Sequence, residues 1–375
     1  MRPRSSRRAR HEARPLKILL IRLRLIGDVV LTTPIIRAIR RARPDARVSY
    51  LVESQAAAVV AHNPHLDRVL VTPLVHGLAR VREDASLAWT LRRERFDAVI
   101  DLHGGPRSSL LALATGAPIR IGYTIAGRGW MYTRQIPRPR AHRPRHSVEN
   151  QWDLAEALLP EIGRPAPGTD PVEMAEDPSA GGRVDGRLQA LGIGAGHELI
   201  VIHVGAGNEF RRWPEAAFAQ VIAALSSERA NRRIILTTGP AQASQAEDVR
   251  RLAQERGVPP EALAVACDLD LGELRNLVAR SRLFIGGDSG PAHVAATTGT
   301  PMVVIYGPTT PDVWGPWRAP SLVTETVDAG ALPCRPCDQR VCEPGDFRCL
   351  RGLGAEAVVA AAGRAIERSR AWRLG

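Results

Sequence analysis

The chain has 375 residues, of which 44% are hydrophobic and 4% aromatic, and its formal net charge is +12. This length exceeds the usual size of a single hydrophobic core, so we expect two globular domains. Arg22, Arg24 and Asp28 interrupt the most apolar stretch near the start, which excludes a transmembrane helix or a secretory signal there. We therefore expect a cytoplasmic enzyme or binding protein that touches a membrane face at most.

The positive charge is concentrated in two runs. Residues 1–14 hold six Arg and one Glu without an apolar run, and we predict a disordered basic arm over 1–15. A second, proline-broken run holds five Arg between Arg134 and Arg145. Both runs suit an anionic partner, such as nucleic acid, a membrane surface or a phosphorylated substrate, and both are also compatible with solvated loops.

Short apolar runs alternate with helical patterns in the first half of the chain. We predict strands over 17–23, 47–53, 67–72 and 96–104, and a helix over 28–44 that ends before Pro44. Strands separated by helices and followed by Gly-rich turns are typical of a parallel, doubly wound sheet. This pattern predicts an N-terminal α/β domain over 16–175.

The same alternation returns in the second half. We predict strands over 198–207, 232–240, 262–267, 282–290 and 301–308. They indicate a second α/β domain over 196–353, after a stretch rich in Pro, Gly and acids and a linker region at 176–195. A terminal helix over 354–375 is expected to pack back on the first domain. Two doubly wound, Rossmann-like domains then face a central cleft at the carboxyl ends of their strands, where such sheets bind ligands.

The segment GGDSGPAH places Asp288, Ser289 and His293 after a predicted strand and at the start of a helix. A protease nucleophile is disfavoured because the chain is α/β throughout, and a metal site is disfavoured because too few ligands are nearby. Free N–H groups at the helix start favour an anion, and Asp288 suits sugar hydroxyls. A helix cap with a buried histidine is the structural alternative.

Two other strand ends carry polar residues. Asp28 follows the first strand and is a candidate general base, although an acid that caps a helix is equally typical there. Gly205 and Ala206 precede the pair Arg211 and Arg212, a pattern that indicates a diphosphate clamp. Its spacing matches neither a Walker loop nor GxGxxG.

Two clusters could involve metals. Asp268 and Asp270 form a DxD sequence, but Asp270 with Glu273 is better explained as a capping box, which leaves the chemistry without a metal. Four cysteines (Cys334, Cys337, Cys342 and Cys349) are compatible with structural zinc, a redox site or disulfides.

Four stretches in this order resemble family 9 glycosyltransferases, the lipopolysaccharide heptosyltransferases: KILLIRLRLIGDVVLTTP, HVGAGNEFRRWP, FIGGDSGPAHVAATTGTPMVVIYGPT and the cysteine-rich tail. The resemblance spans about residues 16 to 370. It implies a GT-B fold, an ADP-heptose donor, a lipid-linked, phosphorylated inner-core acceptor, and inverting transfer without a metal or other cofactor. It also implies a cytoplasmic enzyme at the inner face of the inner membrane, with no nucleic-acid partner.

Carried over by position, Asp28 is implied to be the catalytic base. Expected donor-binding residues are Gly205, Ala206, Arg211, Arg212, Gly239, Asp288, Ser289, Gly290 and His293. Expected acceptor-binding residues are Arg22, Arg107, Arg120 and His146. The alternatives left open are a family member with another sugar donor or acceptor, a nucleotide-sugar epimerase, and a non-catalytic protein that binds nucleic acid or membranes.

Overall fold

The structure is a computed structural model in which residues 14–138, 145–337 and 339–374 are described. The predicted basic arm lies almost entirely outside these residues, and so does the middle of the second arginine run. The described chain folds into two α/β domains, as the alternation of strands and helices predicts.

The first sheet has six parallel strands in the order β3-β2-β1-β4-β5-β6. They are β1 Lys17–Ile21, β2 Arg47–Glu53, β3 Arg68–Thr72, β4 Ala98–Asp101, β5 Ile119–Tyr123 and β6 Arg134–Ile136. All four predicted strands are present. The last two were not predicted, because β5 carries a polar Arg120 amid short apolar stretches and β6 is a three-residue edge strand within the arginine run.

The second sheet also has six parallel strands, in the order β12-β11-β10-β7-β8-β9. They are β7 Glu198–His203, β8 Arg232–Thr237, β9 Leu263–Ala266, β10 Leu283–Gly287, β11 Met302–Tyr306 and β12 Thr324–Asp328. The five predicted strands are present. The edge strand β12 was missed because its polar sequence TETVD lacks an apolar run.

Helices cover the faces of both sheets. Those up to residue 190 are α1 Ile26–Val30, α2 Thr33–Ala42, α3 Gly77–Glu94, α4 Pro106–Ala114, α5 Ser147–Glu156 and α6 Ala180–Ala190. The later ones are α7 Glu215–Ser227, α8 Ala243–Gln254, α9 Leu271–Ala279, α10 Gly290–Ala296, α11 Pro311–Trp314, α12 Arg348–Arg351 and α13 Ala355–Leu374.

The helix predicted over 28–44 is divided into α1 and α2. The hydroxyls of Thr32 and Thr33 donate to the carbonyls of Val29 and Val30, and Pro34 stands at the start of α2. Threonine side chains that bond to the preceding turn and a proline near a helix start both interrupt a continuous helix. The short α1 is therefore a separate element at the carboxyl edge of the sheet.

Two segments that were predicted to lie outside the second domain pack on it in the structure. The linker region 176–195 contains α6, which packs on α9 and therefore belongs to the second domain. The terminal helix α13 packs on α7 and on β10 to β12, so it covers the second domain and not the first, where we expected it. Its small buried residues, such as Ala361 and Ala362, let it lie close to that core.

Both sheets reverse their strand order at one point. The reversal lies between β1 and β4 in the first sheet and between β7 and β10 in the second. Loops on either side of such a reversal diverge and leave a crevice at the carboxyl ends of the strands. Helices α1 and α10 begin at these two crevices.

The two domains touch where α1 meets α10. A β-carbon on Gly27 would lie 2.5 Å from Cδ2 of His293, and one on Gly290 would lie 2.9 Å from Cβ of Ile26. Real β-carbons essentially never approach other atoms so closely. Glycine at both positions is what allows the two helix starts to meet.

We predict that Gly290→Ala destabilises the protein by about 1–3 kcal/mol, because the added methyl group overpacks against Ile26. The melting temperature should fall. The matched control is Gly299→Ala, at a position where a new β-carbon would meet no atom within 4 Å. Equal melting temperatures for the two variants would contradict the close contact.

Candidate active site

A cavity of about 300 Å³ lies at the carboxyl edge of the first sheet, between the two domains. Its walls come from the ends of β1, β4 and β5, from α5 and from one residue of the second domain. The lining residues are Arg22, Asp28, Leu102, His103, Tyr123, Arg138, Ser147, Asn150, Gln151 and Trp314. The predicted base and one predicted acceptor residue, Arg22, are thus brought together.

Asp28 lies in the first turn of α1 and is almost buried, with a side chain 10% exposed. Nη2 of Arg22 pairs with its Oδ2, and Nη1 of Arg22 donates to the Leu102 carbonyl at 2.7 Å. No hydrogen bond from a described residue reaches the other oxygen, Oδ1. Leu25, just before α1, has φ of 66°, a value that is uncommon and strained for a residue with a branched side chain. The carboxylate is thus oriented with one oxygen open to a ligand.

His103 follows β4 and faces the same cavity. Burial, together with the positive charges of Arg22, Arg24 and Arg138, lowers its pKa from 6.5 to about 4. The imidazole is therefore neutral at physiological pH. Two buried nitrogens here have no hydrogen-bond partner among the described residues: Nδ1 of His103 and Nε of Arg22. Buried polar atoms are normally hydrogen-bonded, so these two atoms require a further partner, such as water or a ligand.

Asp288 follows β10 at the crevice of the second sheet. Burial alone would raise its pKa, but the hydrogen bond and charge of His293, with the Arg211 charge and the Thr309 hydroxyl, outweigh burial and lower it. Arg211 Nη1 is 3.2 Å from Oδ2 of Asp288, and the Thr309 hydroxyl donates to the same oxygen at 2.6 Å. Asp288 is therefore an ionised carboxylate held between a guanidinium and an imidazole.

Arg211 is held from two sides. Besides Asp288, its Nε donates to Oε1 of Gln339 at 2.8 Å, and Gln339 belongs to the cysteine-rich segment. The neighbouring Arg212 is exposed and donates to the Ala206 carbonyl. The guanidinium of Arg211 is thus the better ordered of the predicted pair.

Two hydroxyls near this crevice are buried and have no partner among the described residues. They are Oγ of Ser289, at the start of α10, and Oγ1 of Thr238, after β8 and next to the predicted Gly239. Thr238 was not predicted, although it stands at a strand end like the others. One of these uncommitted hydroxyls, that of Ser289, directly follows Asp288, whose carbonyl accepts a hydrogen bond from Nη1 of Arg211.

The other predicted acceptor residues do not line the cavity. Arg107 pairs with Glu53 and Asp84 and donates to Thr72, and so ties α4 to neighbouring elements of its own domain. Arg120 donates to the carbonyls of Ala117 and Met131. Both guanidinium groups serve the fold of the first domain.

His146 joins the two domains. Its Nδ1 accepts a hydrogen bond from the Val148 N–H at the start of α5, and its Nε2 bonds to the Gly315 carbonyl at 2.9 Å. The ring lies 4.7 Å from the Trp317 ring. Burial lowers its pKa despite the bond to Gly315. His146 therefore fixes the cleft width next to Ser147.

Neither candidate metal cluster has a metal-binding geometry in the part of the chain that the structure describes. Asp270 and Glu273 form the predicted capping box, and Arg183 and Arg187 pair with the two aspartates of the DxD sequence. The four cysteines are free thiols that line one cavity, but no three potential ligands are placed to hold an ion. The zinc hypothesis gains no support from this geometry.

Sequence reasoning missed most of the cavity wall. His103 could have been found, because it lies at the end of the strand predicted over 96–104, which proves to pair with β1. Tyr123 ends β5, a strand that was not predicted. Arg138 belongs to the second arginine run, which the family resemblance implies would meet acceptor phosphates. Asn150 and Gln151 lie in the segment 146–159, which the family resemblance implies is a helix on the acceptor side, although neither residue was singled out. Trp314 carries no local signal, since its place in the cavity depends on how the two domains pack.

Known proteins support the fold and the family. A family model described as glycosyltransferase family 9 (heptosyltransferase) matches residues 85–345. The lipopolysaccharide heptosyltransferase 3 of Escherichia coli is 27% identical over 329 residues, which cover 85% of this chain and 91% of that protein.

Solved structures show the same architecture. A family 9 glycosyl transferase from Veillonella parvula has a TM-score of 0.77 and 23% identity, and covers 94% of this chain and 97% of its own. The ADP-heptose lps heptosyltransferase II of E. coli has a TM-score of 0.74 and 18% identity, and covers 95% and 100%. These similarities confirm the predicted GT-B fold.

Buried His203 predicts a stability that depends on pH. Burial lowers its pKa from 6.5 to about 4 at the end of β7. Between these pH values the unfolded chain binds more protons than the folded one, so the free energy of unfolding falls as the pH drops, by up to about 3 kcal/mol. Urea unfolding at pH 7 and near pH 4 should show a smaller loss for His203→Gln.

The matched control is His62→Gln, which removes an exposed imidazole. It should leave the pH dependence of the wild type unchanged. If His203→Gln lost as much stability on acidification as the wild type, the buried neutral imidazole would be contradicted.

Proposed function

This chain belongs to glycosyltransferase family 9 and is a glycosyltransferase, and we propose that it transfers a heptose with inversion from ADP-L-glycero-D-manno-heptose to an inner-core lipopolysaccharide acceptor. Lipopolysaccharide heptosyltransferases among its relatives support this donor and acceptor. The observation that carries the proposal is the position of Asp28, which faces the cavity while its helix touches the donor-side helix α10.

The proposed reaction needs a base at the acceptor hydroxyl. Oδ1 of Asp28 would take the proton as the hydroxyl oxygen attacks the anomeric carbon from the side opposite to the diphosphate, and Arg22 would hold Oδ2. An ionised carboxylate is a weak base. It is sufficient where the carbon carries much positive charge in the transition state, because the nucleophile then loses its proton late.

The leaving ADP accumulates negative charge on its diphosphate. We assign its stabilisation to Arg211, whose guanidinium is pre-oriented by Asp288 and Gln339. The unpartnered hydroxyls of Ser289 and Thr238 would donate to phosphate or sugar oxygens. Donors fixed before the charge develops stabilise a transition state more than donors that must reorganise.

The acceptor would enter from the arginine side of the cavity. Arg22, Arg138 and the neutral His103 line the cavity in front of Asp28. Phosphate or carboxylate groups of an inner-core saccharide would pair with the Arg138 guanidinium. Because this acceptor is linked to lipid, we place the enzyme at the cytoplasmic face of the inner membrane. No helix in the described residues is long and apolar enough to cross a bilayer.

We predict that Asp28→Asn lowers kcat by about a hundredfold or more, because the amide has no basic oxygen, while it keeps the size of the side chain. The affinity for ADP, measured by calorimetry, should stay within about twofold. Turnover is measured by mass spectrometry of heptosylated acceptor.

The control is Asp45→Asn, which neutralises an exposed aspartate and should leave kcat unchanged. Near wild-type turnover of Asp28→Asn would remove the proposed base. The wild-type enzyme incubated with the nucleotide sugar and no acceptor should leave the configuration of the sugar unchanged. An isomerised sugar would instead indicate an epimerase.

We predict that Arg211→Met weakens ADP binding about tenfold or more, whereas Ser289→Ala weakens it about threefold. A charged donor to a phosphate contributes more than a neutral hydroxyl. Calorimetry with ADP measures both. Arg229→Met is the control, since Arg229 is exposed and precedes β8 at the opposite edge of the sheet. These roles would be contradicted if Ser289→Ala lost ADP binding completely, or if Arg211→Met bound ADP as tightly as the wild type.

A further inference from the structure

The largest exposed apolar side chains are unevenly distributed. Seven of the ten large hydrophobic residues that are exposed in the described chain lie between residues 71 and 130, in the first domain. Five of them sit on α3, α4 and the turn Gly129–Met131, and we call these five the apolar face: Leu78, Val81, Trp89, Leu110 and Trp130. Leu78 is 80% exposed and Trp130 66%. These three segments pack against one another in the order α3, α4 and turn.

Helix α3 packs Leu87 and Leu91 inward and carries a second apolar stripe that is turned to solvent. Leu78, Val81 and Trp89 are separated by three and eight residues, which places them on one side of a helix of 3.6 residues per turn. On the inner side only Leu91 is fully buried. An apolar stripe that the protein itself does not cover indicates a binding surface.

The charges on α3 are sorted. Arg82, Arg92 and Arg93 border the apolar stripe, and the guanidinium of Arg93 lies 4.3 Å from the centre of the Trp89 ring. The acids lie on the opposite side, where Asp84 pairs with Arg107 and Glu94 with Arg68. The exposed side therefore combines aliphatic residues, tryptophan and positive charge, the combination found on helices that lie in the headgroup region of anionic membranes.

The apolar face lies near the cavity. Leu78 follows the carboxyl end of β3 and Trp130 follows that of β5, which is the edge of the sheet where the cavity opens. Arg128, two residues before Trp130, donates to the Gly104 carbonyl next to His103. A lipid surface at this face would thus bring the saccharide of a lipid-linked acceptor toward Asp28.

We propose that the apolar face docks the enzyme on an anionic membrane surface, with the tryptophans at headgroup depth and the arginines on lipid phosphates. This inference rests on the proposed function for the identity of the acceptor. A second copy of the chain fits the face less well. A two-fold contact would place the like-charged Arg82 and Arg93 of both copies together, while the acids of α3 are held elsewhere.

The test is co-sedimentation of the full-length protein with vesicles of phosphatidylcholine and phosphatidylglycerol. The double variant Leu78→Ser with Trp89→Ser should bind the vesicles at least about tenfold more weakly than the wild type. Wild-type binding should weaken as salt is added. The matched control is Leu191→Ser with Val341→Ser, which replaces two exposed apolar residues of the second domain and should bind like wild type. Melting temperatures verify that all variants are folded.

Three results would overturn the proposal. Unchanged vesicle binding in the double variant would remove the face as the docking surface, and so would loss of binding after deletion of residues 2–13 with the face intact. A dimeric wild type that becomes monomeric in the double variant, by light scattering, would make the face a self-interface.

Transfer to a delipidated core oligosaccharide separates this inference from the proposed function. The double variant should keep the wild-type kcat/KM on that soluble acceptor. If neither the wild type nor the double variant transferred heptose, the proposed function would fail. The vesicle experiment would still decide whether the apolar face binds the membrane.

Discussion

Two short helices meet at their first turns, and the site is built around that meeting point. Gly27 lies against the His293 ring and Gly290 against Ile26. Helix α1 therefore carries Asp28 in its first turn at this junction, and α10 is preceded by Asp288 on the other side of it. Neither helix has a continuation that would set its angle, since α1 has five residues and α10 seven. Their orientation comes from the strands that precede them. The same strand order in both sheets places one such helix in each crevice, and the contact between the two helices sets how closely the candidate base and the candidate donor site approach.

The cavity is lined by more positive than negative charge. Arg22 and Arg138 line it with one carboxylate, and Arg22 is committed to that carboxylate. The excess of positive charge repels a further proton from His103, which with burial keeps its imidazole neutral. A neutral imidazole accepts or donates a hydrogen bond but adds no charge. In the proposed function, such a site would attract an anionic saccharide while Oδ1 of Asp28 stays free of a second cation and available as a base.

Local signals explain what the sequence could predict. Buried central strands and the acids that follow them produce short apolar runs with a polar end, and so β1, β10, Asp28 and Asp288 were found. Edge strands such as β12 pack on one side only and lack that signal. Arg107 was expected to contact the acceptor only because the family resemblance implied it. Only the structure shows that Glu53 and Asp84, distant in sequence, occupy it.

The cysteine-rich segment acquires a role that does not need its thiols to bind a metal. Gln339 accepts from Nε of Arg211, while Arg335 donates to the backbone carbonyl of Thr309, whose hydroxyl holds Asp288. The segment thus supports both partners of the Arg211–Asp288 pair from outside the cleft. A guanidinium that is held at Nε and at Nη1 presents its remaining nitrogen, Nη2, in one direction, which suits a charge-assisted contact to a diphosphate. In the proposed function the segment would therefore contribute to the donor site, although it lies outside both sheets.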